Sequence, residues 1–365
     1  MSKDSDSIVT ASKKKRIKKK KTTTLLPSGS TLFNLACTNT PYGAFPAGKY
    51  IYIVGDSTSG KTFVSMSCFA EAVLHPIFKD YRLIYDNVED GMMIDLKALF
   101  NKKAAQTVEP PALDKDSKPL YSFTIEDFYF NLDDALKEER PFIYVLDSMD
   151  SLDSDFAQEK FDEHKTAHRK GTESKGSYGD GKAKKNSEGI RRILKGLRET
   201  NSILIIISQT RDNLGFGFEK KTRSGGKALK FYATLEAWTS PGGDIKKTVR
   251  KKKRNIGIHA LVNVKKNRIT GEEHEVAMDI YPSYGIDDIG GCIDYLVSEG
   301  WWDKKKQGGT IDAEEFEFIG SKEKLIAHIE GEDLHRKLQR ITGQCWNEIR
   351  EASKLKRKKK YEEED

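Results

Sequence analysis

The chain has 365 residues, 37% of them hydrophobic, with 63 Lys and Arg against 56 Asp and Glu and a formal net charge of +7; it is long enough for one large folded unit plus a smaller one. Its longest apolar runs, such as residues 203–207, fall far short of the roughly 20 residues that cross a bilayer, and no hydrophobic region follows the basic N-terminal cluster, so the expectation is a cytoplasmic protein without anchor or secretory signal. Cys37, Cys68, Cys292 and Cys345 are widely spaced, with no CxxC pair to suggest a metal site, and buried thiols in a reducing compartment are expected.

Residues 1–24 are rich in Lys, Ser and Thr and read as a low-complexity tail. From residue 25, strand-like apolar runs alternate with helical stretches, the strand candidates being 50–54, 82–85, 142–146, 202–207, 232–237, 260–264 and 276–281. Near-continuous Ile, Leu and Val in the middle strands imply burial on both faces, hence an α/β fold with a mostly parallel sheet covered by helices. The core is expected over 25–285, followed by a small α-rich module at 286–352 with Trp301, Trp302 and Trp346, and by a charged tail at 353–365.

The run 50–54 leads into Gly55-Asp56-Ser57-Thr58-Ser59-Gly60-Lys61-Thr62, an intact phosphate-binding loop between a strand and the helix-compatible 63–74. Such a turn presents successive backbone N–H donors to phosphate at a helix N-terminus. Lys61 is then placed to reach the β- and γ-phosphates of a nucleotide and Thr62 to ligate Mg²⁺.

The second strand ends in Asp86-Asn87-Val88-Glu89-Asp90, placing carboxylates where open α/β sheets build their sites. Glu89 is the candidate general base, with Asp86 and Asp90 as competitors. The buried strand 142–146 ends in Asp147-Ser148, and Asp147 is the candidate for the shell of the metal ion. The strand 203–207 runs into Ser208-Gln209; an amide there can sense the γ-phosphate and pass nucleotide state to the segment behind it.

Two stretches, 155–186 and 211–227, lack periodicity and read as long functional or disordered segments. Between them, 188–199 carries Ile190, Ile193, Leu194 and Leu197 at helical spacing and reads as a core-packing helix. Positive charge gathers in blocks at 13–21, 246–254 and 354–360. Such blocks are ordinarily solvated tails or loops, but three of them beside a nucleotide site favour a polyanionic partner such as nucleic acid.

These residues resemble a family, the RecA-type recombinases of bacteria and phages. Ser28-Gly29-Ser30 with the segment to Gly48 resembles the family's lead-in to its phosphate loop, and Leu146-Asp147-Ser148 with Leu152 its second nucleotide motif. Gly225-Gly226-Lys227-Ala228-Leu229-Lys230-Phe231-Tyr232-Ala233 is similar to the run that closes the family's second DNA-binding loop. Val264-Lys265-Lys266-Asn267-Arg268-Ile269 looks like the segment that reaches the neighbouring subunit's ATP. The likeness spans about 25–302.

The resemblance implies a RecA-like ATPase that uses ATP and Mg²⁺ and forms a helical filament on single-stranded DNA, pairing it with homologous duplex in recombination and repair. ATP would sit between subunits, with Lys266 and Arg268 acting across the interface. The segments 155–186 and 211–227 would line the DNA. There Arg211, Lys220, Lys221, Arg223, Lys227 and Lys230 would meet phosphates, while Leu214, Phe216 and Phe218 would wedge between or stack on bases. The sequence departs from the family in four ways: no counterpart of its N-terminal assembly helix, a longer and more basic first loop, Glu89 three rather than two residues after Asp86, and Lys at 227 where a neutral amide is common. A hexameric helicase or motor on the same fold, or an ATP-switched DNA-binding or loading protein without strand exchange, are the alternative readings.

Overall fold

The computed structural model describes residues 23–89, 95–170, 181–212, 221–223, 226–305 and 309–357. Among the described residues ten strands form one sheet, nine of them in a continuous path: β1 (Tyr50–Gly55), β2 (Arg82–Asn87), β3 (Val108–Glu109), β4 (Phe142–Asp147), β5 (Ile203–Asp212), β6 (Leu235–Val249), β7 (Lys252–Asn267), β8 (His274–Tyr281) and β9 (Gly285–Ile286), while the tenth, Lys221–Arg223, pairs with β5 off that path. Their spatial order is β9-β8-β7-β6-β1-β5-β4-β2-β3. Pairing is parallel from β6 through β1, β5, β4 and β2 to β3, and antiparallel across β6, β7, β8 and β9. The mostly parallel sheet expected from the apolar runs is therefore present. Among the described residues, no helix is long and apolar enough to cross a membrane.

The main helices are α1 (Thr31–Thr38), α2 (Lys61–Leu74), α3 (Ile125–Lys137), α4 (Asp155–Lys170), α5 (Gly181–Thr200), α6 (Lys227–Tyr232), α7 (Asp288–Ser298), α8 (Lys322–Gly331) and α9 (His335–Ala352). Strand alternation sorts side chains to the two sheet faces. Ile51 and Ile53 pack with Val64, Cys68 and Phe69 of α2, whereas Tyr50, Tyr52 and Val54 pack with Phe128 and Leu132 of α3 and with Ile190, Ile193 and Leu197 of α5. The helical spacing in 188–199 thus reports a real core face, and all four cysteines are buried.

A third apolar cluster, including Leu296, Trp302, Leu325 and Ile341, forms the core of the C-terminal module. Besides its helices the module contains a small antiparallel sheet of Asp303–Lys304, Ile311–Ala313 and Phe318–Gly320. Short strands of two or three residues carry too few side chains for a period-2 pattern.

Three expectations are corrected. Residues 155–186 are not a structureless stretch, because α4 occupies Asp155–Lys170 and α5 begins at Gly181; 171–180 lie outside the described residues. Residues 155–170 are free of Pro and Gly and carry Lys, Arg, Glu and Ala, which favour helix, while their charged faces leave no apolar stripe to read. The strand placed at 232–237 begins at Leu235, since Tyr232 closes α6. The basic block 246–254 is the end of a long hairpin, in which Lys246 pairs with Asn255 and Val249 with Lys252. Arg250 and Lys251, at φ 50° and 63°, make its two-residue turn, the left-handed pair that suits the twist of a hairpin. No apolar alternation marks these strand ends because both faces stand in solvent.

Candidate active site

β1, β2, β4 and β5 run parallel, so their C-terminal ends share one edge of the sheet, where Gly55 pairs with Gln209 and Asn87 with Asp147. Ligand sites of open α/β sheets form at such an edge. The phosphate loop leaves β1 there and ends on α2, whose first residue is Lys61. Two glycines are needed on steric grounds. A Cβ on Gly55 would lie 1.9 Å from Thr239 Oγ1, and Gly60 has φ 88° with Ile280 Cδ1 only 2.4 Å from where its Cβ would be. Ser59 Oγ and Thr239 Oγ1, 2.6 Å apart, tie the loop to β6.

A cavity of about 440 Å³ opens over the loop, with Thr58, Lys61, Thr62, Glu89 and Asp147 on its polar side. Phe63, Tyr85, Ile258, Ile280 and Pro282 supply apolar walls. Lys61 is buried and its Nζ donates to the carbonyls of Gly55 at 3.0 Å and Asp56 at 2.6 Å. Burial lowers its pKa, against the pull of Asp147, Glu89, Asp56 and Asp150.

Thr62 Oγ1 donates to Asp147 Oδ2 at 2.8 Å, and Tyr85 OH donates to the same oxygen at 3.0 Å. Burial raises the Asp147 pKa, and these two bonds oppose that shift. A hydroxyl and a carboxylate at a helix N-terminus over an open cavity are the oxygen donors that a hard divalent cation takes. The donor set therefore fits Mg²⁺ with a nucleotide.

Glu89 and Asp86 differ sharply. Glu89 Oε1 accepts from Ser148 Oγ at 2.5 Å, Gln209 Nε2 at 3.0 Å and Ser151 Oγ at 3.2 Å, at the rim of the cavity. Asp86 is fully buried and accepts from Ser122 N, Ser122 Oγ and Tyr144 OH, so it holds the sheet to the chain before α3. Asp90 lies outside the described residues.

Lys266 and Arg268 are not brought to this cavity. At the end of β7, Lys266 Nζ donates to the carbonyls of Lys230 and Phe231, and Arg268 donates to Phe231 O at 2.8 Å. Phe231 is exposed, and the Arg268 guanidinium stands 5.7 Å from its ring centre. Of the DNA-contact candidates, Lys227 and Lys230 are exposed on α6, and Lys230 Nζ lies 3.9 Å from Glu236 Oε2. The segment 211–227 is partly a ribbon, because β5 continues to Asp212 and Lys221–Arg223 pairs back on it; Arg211, Lys221 and Arg223 are backbone partners there. Leu214, Phe216, Phe218 and Lys220 lie outside the described residues.

Sequence reasoning missed Tyr85, Ser148, Ser151, Asp150 and Thr210. Ser208 Oγ and Gln209 N both donate to Asp150 Oδ2, at 2.6 and 2.7 Å, and Thr210 Oγ1 donates to Asp56 Oδ1. Their one sequence signal is position, since each lies within a few residues of a strand end that already carries a candidate.

The RecA N-terminal domain family matches residues 168–287. The chain is 24% identical over 278 residues to protein RecA of Malacoplasma penetrans, covering 75% of this chain and 73% of that protein. It is 26% identical over 313 residues to protein RecA of Fusobacterium nucleatum, covering 84% and 72%. A shorter match to protein RecA of Trichodesmium erythraeum reaches 30% identity over 176 residues, covering 46% and 47%. These matches, together with the phosphate loop, the acid-ended neighbouring strand and the mostly parallel sheet, make the chain similar to RecA proteins and its core RecA-like.

Proposed function

We propose that the protein is a DNA-dependent ATPase that binds single-stranded DNA as a helical filament and promotes homologous pairing and strand exchange. The observation that carries this reading is the 3.0 Å bond from Gln209 Nε2 to Glu89 Oε1. It joins a carboxylate at the nucleotide cavity to the strand that continues into 211–227, so the state of the cavity and the position of that segment are mechanically linked.

The backbone N–H groups of 55–62 would cradle the phosphates and Lys61 would turn from its loop carbonyls to the terminal ones. Thr62 and Asp147 would hold Mg²⁺, which when bound neutralises charge on the phosphate oxygens. Glu89 orients the attacking water and takes its proton as the new P–O bond forms and the bond to the β-phosphate oxygen breaks, leaving ADP and phosphate. Ser148, Ser151 and Gln209 hold that carboxylate in place. Lys266 and Arg268, away from their own cavity, would serve a neighbouring copy by stabilising charge on the transferring phosphoryl group.

Sequence fidelity would come from base pairing with the incoming duplex, while cationic side chains grip phosphates. The test is joint-molecule formation between a single strand and a homologous duplex with ATP. Products that require homology support the reading; tight ATP-dependent binding without joint molecules reduces the protein to a loading or binding module. Strand separation by closed hexamers would make it a motor instead.

A further inference from the structure

Hydrogen-bonded pairing of β5 to its neighbours ends at different heights. The ladder to β4 stops at the pair Leu146–Ile206, and the ladder to β1 stops at Gly55–Gln209. Past the β4 ladder, Ser208 and Gln209 are paired only with Val54 and Gly55 of β1, and Thr210 then enters the ribbon, where it pairs with Arg223. The part of β5 that carries the Gln209 amide is thus held by a ladder on its β1 side only.

Two carboxylates take over where the ladders stop. On the β4 side, Asp150 Oδ2 accepts from both Ser208 Oγ and Gln209 N at 2.6 and 2.7 Å, next to the backbone bond from Met149 N to Ile207 O. On the β1 side, Asp56 Oδ1 accepts from Thr210 Oγ1. Asp56 is itself a phosphate-loop residue whose carbonyl accepts from Lys61 Nζ at 2.6 Å. Bonds to ionised acceptors are about twice as strong as neutral ones, and these bracket Gln209 from both sides.

We propose that Asp150 and Thr210 are positioning residues for ATP hydrolysis. Asp150 fixes the backbone of Gln209 so that its amide meets Glu89, and Thr210 ties the root of 211–227 to the phosphate loop through Asp56. A shift of the phosphate loop is thereby passed to the ribbon root, and engagement of the ribbon is passed back to the Gln209–Glu89 pair. Neither residue is among those that line the nucleotide cavity. The inference rests on the proposed DNA-dependent ATPase activity.

The experiment uses full-length protein with Asp150→Ala, Asp150→Asn, Thr210→Val and Thr210→Ser. Steady-state ATP turnover is measured with single-stranded DNA, and the affinity of a fluorescent ATP analogue is measured without it. Misplacing a catalytic group by about 1 Å costs up to about a hundredfold, so Asp150→Ala and Thr210→Val should each lower kcat by about tenfold or more. Analogue affinity should stay within about twofold, because ground-state binding is a separate quantity from transition-state placement. Asp150→Asn and Thr210→Ser retain the acceptor and the hydroxyl and should recover most of the turnover.

Turnover near wild type in both Asp150→Ala and Thr210→Val overturns the proposal. So does a loss that the Asn and Ser variants share equally, which marks general damage to the fold. Wild-type protein without DNA-stimulated hydrolysis would defeat the functional reading and this inference with it, and that outcome is visible before any variant is made.

Discussion

Tyr85 OH and Thr62 Oγ1 converge on one oxygen, Asp147 Oδ2, at 3.0 and 2.8 Å. The shared acceptor belongs to a carboxylate whose pKa burial has raised, so each donor helps keep it ionised. Removing the tyrosine hydroxyl lets the pKa rise further. Tyr85→Phe should therefore lose ATP turnover at a higher pH than wild type as pH falls, with recovery at alkaline pH. Superimposable pH profiles of kcat/KM would deny Asp147 that dependence.

Asp86 and Glu89 should separate stability from activity. Asp86→Ala strands three buried donors, each costing about 1–3 kcal/mol when unsatisfied, and should depress the unfolding free energy by several kcal/mol in a denaturant titration. Glu89→Gln should leave that titration nearly unchanged while reducing turnover about a hundredfold or more. Burial raises the Asp86 pKa against its Ser122 and Tyr144 bonds. An acid with a raised folded-state pKa contributes stability that is complete below its unfolded pKa and lost as pH rises through the folded one. Asp86→Asn should flatten that component of the wild-type pH–stability curve just above the ordinary carboxylate range.

Glu272 joins the C-terminal module to the core. It accepts two bonds from Arg350 of α9, at 2.8 and 3.0 Å, and one from Asn39 at 2.6 Å. Arg350 is the main reason its pKa falls to about 2. A depressed carboxylate pKa contributes stability above the unfolded value that disappears as pH falls through the folded one. The pair is partly exposed, so Arg350→Ala should cost no more than about 1 kcal/mol near neutrality. The gap from wild type should narrow between about pH 5 and pH 2; a gap independent of pH would assign the loss to something other than this ion pair.

Lys266 and Arg268 can be tested by mixing. Lys61→Ala should abolish hydrolysis, and the double variant Lys266→Ala with Arg268→Ala should be severely impaired by losing transition-state charge stabilisation. If each residue acts on a neighbour's nucleotide, mixing the two proteins creates interfaces in which both sets are intact, and part of the turnover returns. No recovery across mixing ratios, with co-assembly verified, would deny that the two residues act on a neighbour's nucleotide.

How far the sequence reveals this arrangement depends on the range of each interaction. The phosphate loop is legible because its glycines, Lys61 and Thr62 act through local backbone geometry, and Ile190, Ile193 and Leu197 are legible because burial follows a helical period. α4 is not, since a helix charged around its surface carries no apolar stripe. The solvated end of the β6–β7 hairpin is equally silent, although its turn at Arg250 and Lys251 makes it regular. Partners such as Gln209 and Glu89, 120 residues apart, or Thr210 and Asp56, 154 apart, meet only because parallel strands bring distant C-terminal ends to one edge.

The most direct test of the account is the affinity of the full-length protein for a single-stranded oligonucleotide, measured by fluorescence anisotropy with and without a slowly hydrolysed ATP analogue. Nucleotide coupling of about 1–3 kcal/mol corresponds to roughly 5- to 150-fold, so binding should tighten by at least that lower factor, with cooperative isotherms, and Lys61→Ala should lose the effect. Equal affinity in both conditions, from protein that stays monomeric, would contradict it.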